Sequence, residues 1–329
     1  MIVRKKYSKI LGLWKVLRHS RVPGLLLTVP FFLGLLILSP SFSEADFRSS
    51  KGSQKILNFP AIPKEFGEII YHHRSDASKQ LYIIGLEHRD SITRLNGART
   101  AKVQAEVYKI GEWLILNEGL GLLLPEGFFS KTGKTQADKP PGAGENGSLS
   151  WDLDSLEKKL ADNKTYVNAE MLLKRNYGLR TRQIEDKELY DAVHENLCKL
   201  VFPGKDPCDF DSLKAELDSL QERRLAAMLQ KIPEVIGEEV RQSHIKKNRA
   251  LMTIGISHMP NIIKYLSENR IPLPPRNHST PLNLLKEDFG VVLFLPRRLA
   301  HDEEVLKITR LTGILEQSRK KSFLLPLSP

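Results

Sequence analysis

Apolar positions along the chain fall into short unbroken blocks separated by stretches in which they recur every three or four residues. Residues 68–72 (EIIYH) and 80–85 (QLYIIG) have the density of branched and aromatic side chains that suits strands, with SDAS between them as a turn. Over residues 94–116, Val103, Val107, Ile110 and Leu114 keep helical spacing, and Gly111 is the one weak point. Asn117-Glu118-Gly119 ends that helix, and residues 120–124 (LGLLL) form a short apolar strand closing on Pro125-Glu126-Gly127. Strand, long helix, strand is a crossover unit, which implies a parallel pair and an α/β core.

The periodicity then breaks. Residues 130–150 are rich in Gly, Pro, Ser and Lys and read as a flexible loop. Helical spacing resumes at 153–160, 169–175 and 187–200, and in a longer stretch from 210 to about 249, interrupted or kinked near Pro233. A second apolar strand covers 250–255, a helix beginning with Pro260 covers 259–269, and another strand covers 290–295 (GVVLFL). A last helical segment, about 302–318, precedes an apolar tail at 323–327. The fold class expected is α/β, with a mixed or mostly parallel central sheet and a helical insertion. Residues 46–129 and 250–329 form its two halves, and 151–249 the insertion after the loop.

The N-terminus has a different character. The first 21 residues carry seven basic side chains and no acid, and residues 22–38 are apolar apart from Thr28, two glycines and two prolines. Ser43 and Ala45 offer the small side chains needed for cleavage before Asp46, the layout of a signal peptide. An uncleaved anchor is the alternative, and 17 apolar residues are at the short end for a span. Residues 1–45 therefore read as a signal peptide or N-terminal membrane anchor. Either one places the body in the periplasm, or otherwise outside the cytosol of a bacterial-type cell.

This leader also reinterprets the charge. The whole chain is +11, but the first 45 residues account for +6, leaving only +5 on the other 284. Bases there alternate with acids, and no nucleic-acid motif appears, so nucleic acid is not an expected partner. The two cysteines, Cys198 and Cys208, form a local disulfide in an oxidising compartment or stand as separate thiols.

Candidate chemistry sits in two similar segments. Leu81-Tyr82-Ile83-Ile84-Gly85-Leu86-Glu87-His88 and Leu251-Met252-Thr253-Ile254-Gly255-Ile256-Ser257-His258 each place an apolar strand before Gly-x-x-His. In an open α/β sheet that position is the carboxyl end of a strand, where ligands bind. Glu126 ends the strand that follows the first segment's helix and can join the two histidines. Two imidazoles and a carboxylate make a site for a divalent metal ion of Mn, Co or Zn type. Glu87 is the other candidate carboxylate.

These segments, the long helix after the first and the Pro-Glu-Gly strand end resemble the TraB/PrgY/GumN group. That group is related to the Tiki proteins and, more distantly, to erythromycin-esterase-like and ChaN-like haem-uptake proteins. The resemblance covers residues 80–127 and 240–270; the Glu before His88 is a feature of the esterase-like and ChaN-like branches. It implies a metal-dependent hydrolase, of peptidase or esterase type, with a peptide or small-molecule substrate. His88, His258 and Glu126 would hold the ion. Asn248 and Arg249 look like the polar pair preceding the second motif, which gives Arg249 the role of stabilising charge on a substrate oxygen. Two other functions fit the same relatives: a non-catalytic protein binding haem, metal or a peptide, and an envelope interaction protein.

Overall fold

The structure, a computed structural model, describes residues 62–87, 97–129, 151–162, 167–201, 209–273 and 278–323. The basic-apolar leader, the 130–150 loop, His88, Cys208 and the apolar tail beyond residue 323 lie outside the described residues.

Eight strands occur among the described residues: β1 (Gly67–His73), β2 (Lys79–Leu86), β3 (Leu122–Pro125), β4 (Arg180–Thr181), β5 (Arg249–Gly255), β6 (Arg270–Leu273), β7 (His278–Pro281) and β8 (Phe289–Pro296). Six form one sheet in the order β1-β8-β2-β5-β3-β4, and β6 pairs with β7 in a separate ribbon. Within the large sheet only β1–β8 is antiparallel; every other neighbouring pair is parallel. The fold is thus mixed α/β with a mostly parallel sheet.

Burial explains the strand sequences. Leu81, Tyr82, Ile83 and Ile84 of β2, and Ala250, Leu251 and Met252 of β5, are almost wholly enclosed. A central parallel strand covered on both faces needs such an unbroken apolar run. SDAS does turn the chain between β1 and β2, but β8 lies between those strands, so they do not pair with each other. β8 is fully buried along its length and supplies the apolar neighbour that β2 requires on that side.

The first helix, α1 (Ala98–Trp113), runs into a π-helical turn at Leu114–Glu118, which Gly119 closes with a left-handed φ of 70°. Gly111 has a packing reason: a Cβ there would come within 2.5 Å of Leu173 Cδ1. Leu173 belongs to α3 (Ala169–Tyr177), which packs on α1 beside α2 (Leu153–Ala161). The span expected as a helical insertion also contributes a strand to the sheet, since Arg180 and Thr181 pair with Leu122 and Leu123. After β4 come α4 (Lys187–Val201) and α5 (Phe210–Arg241), which pack together.

The helix α5 is continuous through Pro233 and stops at Arg241, short of the expected end near Arg249. Ser243, at φ 57°, turns the chain there, and Arg249 already belongs to β5. Beyond β5, α6 (Met259–Glu268) ends at Asn269 with φ 50°, leading into the ribbon of β6 and β7. This ribbon occupies the proline-rich stretch, where no strand is legible from apolar periodicity. Short helices α7 (Asn283–Lys286) and α8 (Arg297–Ala300) flank β8. The final helical segment is two helices, α9 (Glu303–Thr309) and α10 (Thr312–Phe323), separated by Arg310 at φ 60°.

From β2 the chain crosses over β5 to reach β3, whereas from β5 it crosses back over β2 to reach β8. Right-handed crossovers in opposite directions put their helices on opposite faces of the sheet. The carboxyl ends of β2 and β5 therefore flank a topological switch point, where open α/β sheets form a crevice.

Candidate active site

The strands β2 and β5 are in register such that Gly85 pairs with Ile254 and Leu86 with Gly255. Both strands therefore end at the same level of the sheet. After Gly255 the chain makes a 3-10 turn, Ile256–His258, that enters α6 with Pro260 in its first turn. This turn folds the His258 side chain back over the strand ends, where it is only 9% exposed.

Glu126 arrives from the neighbouring strand. Its backbone N–H donates to the Thr253 carbonyl at 2.9 Å, continuing the β3–β5 ladder by one residue. Gly127, at φ 72°, then turns the chain away. The Glu126 carboxylate accepts a hydrogen bond from the Gly255 N–H through Oε2 at 2.6 Å. Its other oxygen, Oε1, lies 3.5 Å from His258 Nε2 and 2.8 Å from Arg224 Nη2.

Arg224 comes from the middle of α5 and is gripped twice by Glu185. Its Nε donates to Glu185 Oε2 at 3.0 Å, and its Nη2 also donates to Glu185 Oε1. Glu185 is completely enclosed and accepts a further bond from the Gly127 N–H at 2.9 Å. Burial opposes the charge on Arg224, but the Glu126 and Glu185 carboxylates outweigh it and raise its pKa further above its ordinary range. The guanidinium also lies 5.1 Å from the Tyr190 ring, which meets Phe129 edge-on at 4.9 Å. On the adjoining strand Thr253 donates through its hydroxyl to Glu170 Oε1 at 2.8 Å; the other oxygen of Glu170 is buried with no partner among the described residues.

Of the residues singled out in sequence, His258 and Glu126 are brought together. Glu87 follows β2 at the same edge but is committed elsewhere: Arg99 Nη2 donates to it at 2.6 Å, and Arg99 Nη1 stands 3.0 Å from Asp302. Burial raises the Glu87 pKa against the opposing charge of Arg99. Arg249 is at the opposite end of the sheet. It opens β5, six residues before Gly255, which at about 3.3 Å per residue is roughly 20 Å away. There its Nη1 donates to the carboxylate and the carbonyl of Glu118, whose carboxylate also receives the Tyr82 hydroxyl at 3.2 Å. The cation beside Glu126 is Arg224. His244 pairs with Glu239 at 3.2 Å and His301 with Glu68 at 3.0 Å.

Sequence reasoning passed over Arg224 and Glu185. A signal for Arg224 existed: it falls in the apolar stripe of Leu217, Leu220 and Met228, all buried, where a lone arginine needs a buried partner. Glu185 stands in a connector after Ile184 and carries no comparable pattern.

An imidazole and a carboxylate are donors that divalent ions accept, and Arg224 Nη2 stands 2.8 Å from the same Glu126 Oε1. Two ligands of one tetrahedral ion with bonds of about 2.0–2.1 Å stand roughly 3.4 Å apart, close to the 3.5 Å between His258 Nε2 and Glu126 Oε1. Among the described residues, no group of three or more His, Cys, Asp or Glu side chains is placed to hold a metal. The described side chains thus offer two arms of a site. No helix of the described residues is long and apolar enough to cross a membrane. The chain matches no family model, no curated protein and no solved structure.

Proposed function

We propose that this chain is a metal-dependent hydrolase of the peptidase or esterase type, working outside the cytosol. The observation that carries the reading is the approach of His258 Nε2 to Glu126 Oε1, both enclosed, at the switch point of a mostly parallel sheet. His258 and Glu126 would hold a divalent ion of Mn, Co or Zn type, with His88 as the third ligand by its place in the first Gly-x-x-His segment. Such an ion supplies a water of lowered pKa and polarises a carbonyl. The resemblance of both segments to the TraB/PrgY/GumN and Tiki proteins supports the same chemistry, and the basic-apolar leader supports the location.

The chain's own groups divide the remaining work. The Gly255 N–H fixes Glu126 through Oε2 and leaves Oε1 turned toward His258. The 3-10 turn and Pro260 fix the imidazole's approach. Arg224, 2.8 Å from Glu126, presents a permanent cation beside the place where negative charge builds on a substrate oxygen during hydrolysis.

The test is hydrolysis by the purified full-length chain of a mixed peptide library and a panel of aryl esters. Activity abolished by a chelator, restored by Mn, Co or Zn ions and absent from Glu126→Gln supports the reading. Activity indifferent to chelation, or equal in Glu126→Gln, overturns it. A chain that cleaves nothing with any of the three ions present returns the site to non-catalytic ligand binding.

A further inference from the structure

We infer that Glu185 is a positioning residue for the ion site: it shares Arg224 with Glu126 and so leaves the enclosed cluster with the net negative charge that favours a metal. The inference rests on the reading of His258 and Glu126 as ligands.

The geometry makes Arg224 both a support and a rival. Its Nη2 stands 2.8 Å from Glu126 Oε1, the same oxygen that faces His258. Left alone with Glu126, the guanidinium would form a neutral pair and compete with an incoming cation for that oxygen. Glu185 changes the balance in two ways. It takes Arg224 through both Nε and Nη2, the two-pronged grip in which a guanidinium binds a carboxylate most strongly. It also accepts the N–H of Gly127, the residue next to Glu126, so one side chain fixes both the cation and the turn that carries the ligand.

The charges follow. Glu126, Arg224 and Glu185 are each no more than 8% exposed and together carry one net negative charge. Neutralising Glu185 brings that charge to zero. In so enclosed a cluster a single charge is weakly screened, so its loss reaches the ion site. Partners behind the direct ligands commonly change metal affinity by about 10–100-fold.

The experiment is calorimetric titration of Mn²⁺ into the full-length chain as wild type, Glu185→Gln, Glu185→Gln with Arg224→Gln, and Glu185→Asp. Melting temperatures are recorded on the same samples. The expected result is affinity weakened about 10–100-fold in Glu185→Gln and returned to within a few-fold of wild type when Arg224 is neutralised as well. Loss of packing alone would not be repaired by a second substitution in the same cluster. Wild-type affinity in Glu185→Gln, or a double variant as weak as the single one, overturns the inference while leaving the ion site standing. If Glu185→Gln does not fold, the comparison passes to Glu185→Asp, which keeps the charge but shortens its reach. A several-fold weakening is then expected, and unchanged affinity overturns the inference. A wild type that takes up no ion removes the ion site and this role for Glu185 together.

Discussion

The backbone N–H of Gly255 donates to Glu126 Oε2 across 2.6 Å, tying the end of one Gly-x-x-His strand to the carboxylate that closes the neighbouring strand. A glycine N–H has no side chain to crowd its approach, and at this position it holds one carboxylate oxygen while the other meets Arg224 and faces His258. On the proposed function, Glu126 then has a structural and a chemical duty at once.

Those duties separate under substitution. In Glu126→Gln the amide oxygen still accepts from Gly255 while the amide NH2 comes to face Arg224 Nη2, so denaturant unfolding should show a loss of about 3–5 kcal/mol. Hydrolysis should fall by two orders of magnitude or more, on the order expected for losing a metal ligand or a principal transition-state contact. Unfolding curves and initial rates on the same preparation check both halves. A variant that folds and retains its rate contradicts the chemical duty.

Arg249 allows the opposite dissociation. Its partner Glu118 and its neighbour Tyr82 belong to the amino end of the sheet, far from His258. Arg249→Met leaves the Glu118 carboxylate without its cation in a partly buried place and should cost about 1–3 kcal/mol of stability. The specific activity of the folded fraction should stay at the wild-type value. A collapse of activity at unchanged stability would instead give Arg249 the catalytic role suggested by the family resemblance.

Glu106 carries a pH signature. Burial on α1 raises its carboxyl from 4.5 to about 7, against the pull of the Arg298 backbone N–H and the charges of Arg298 and Arg297, with Glu157 adding to the rise. A folded-state pKa above the unfolded value means that the folded chain holds the proton more tightly. Stability from this group therefore grows as pH falls from above 7 toward 4.5, and the ionised form above pH 7 is a cost. Glu106→Gln removes the titration. Its advantage over wild type should be about 1–3 kcal/mol at pH 8 and vanish near pH 4.5, read from chemical unfolding at both values. An equal difference at the two pH values contradicts the assignment.

Apolar runs carried most of the sheet. Leu81–Ile84, Leu122–Leu124 and Val291–Leu295 could be recognised because a strand buried on both faces tolerates no polar interruption. The stripe of Val103, Val107, Ile110 and Leu114 likewise marked α1. Less visible were features decided by distant partners. Arg180 and Thr181 become a strand because β3 has an open edge beside them, and nothing in their own sequence requires it. The ribbon of β6 and β7 pairs a proline-interrupted stretch whose periodicity is poor in either register. At the site, Glu126 and His258 were legible because strand ends and glycines announce themselves locally. Arg224 and Glu185 were not, since an ion pair between residues 39 apart is a property of the packed helix and connector. Arg249, given its role by the family resemblance, opens the strand whose far end carries the motif, so a strand's length separates the two.

The most direct measurement of the central claim is metal content, by mass spectrometry, of the full-length chain after reconstitution with Mn, Co or Zn ions. It should be run beside folded His258→Ala and Glu126→Gln variants. The account predicts about one equivalent of one of these ions in the wild type and its loss from both variants. A wild type without metal, or variants that retain the full equivalent, would contradict it.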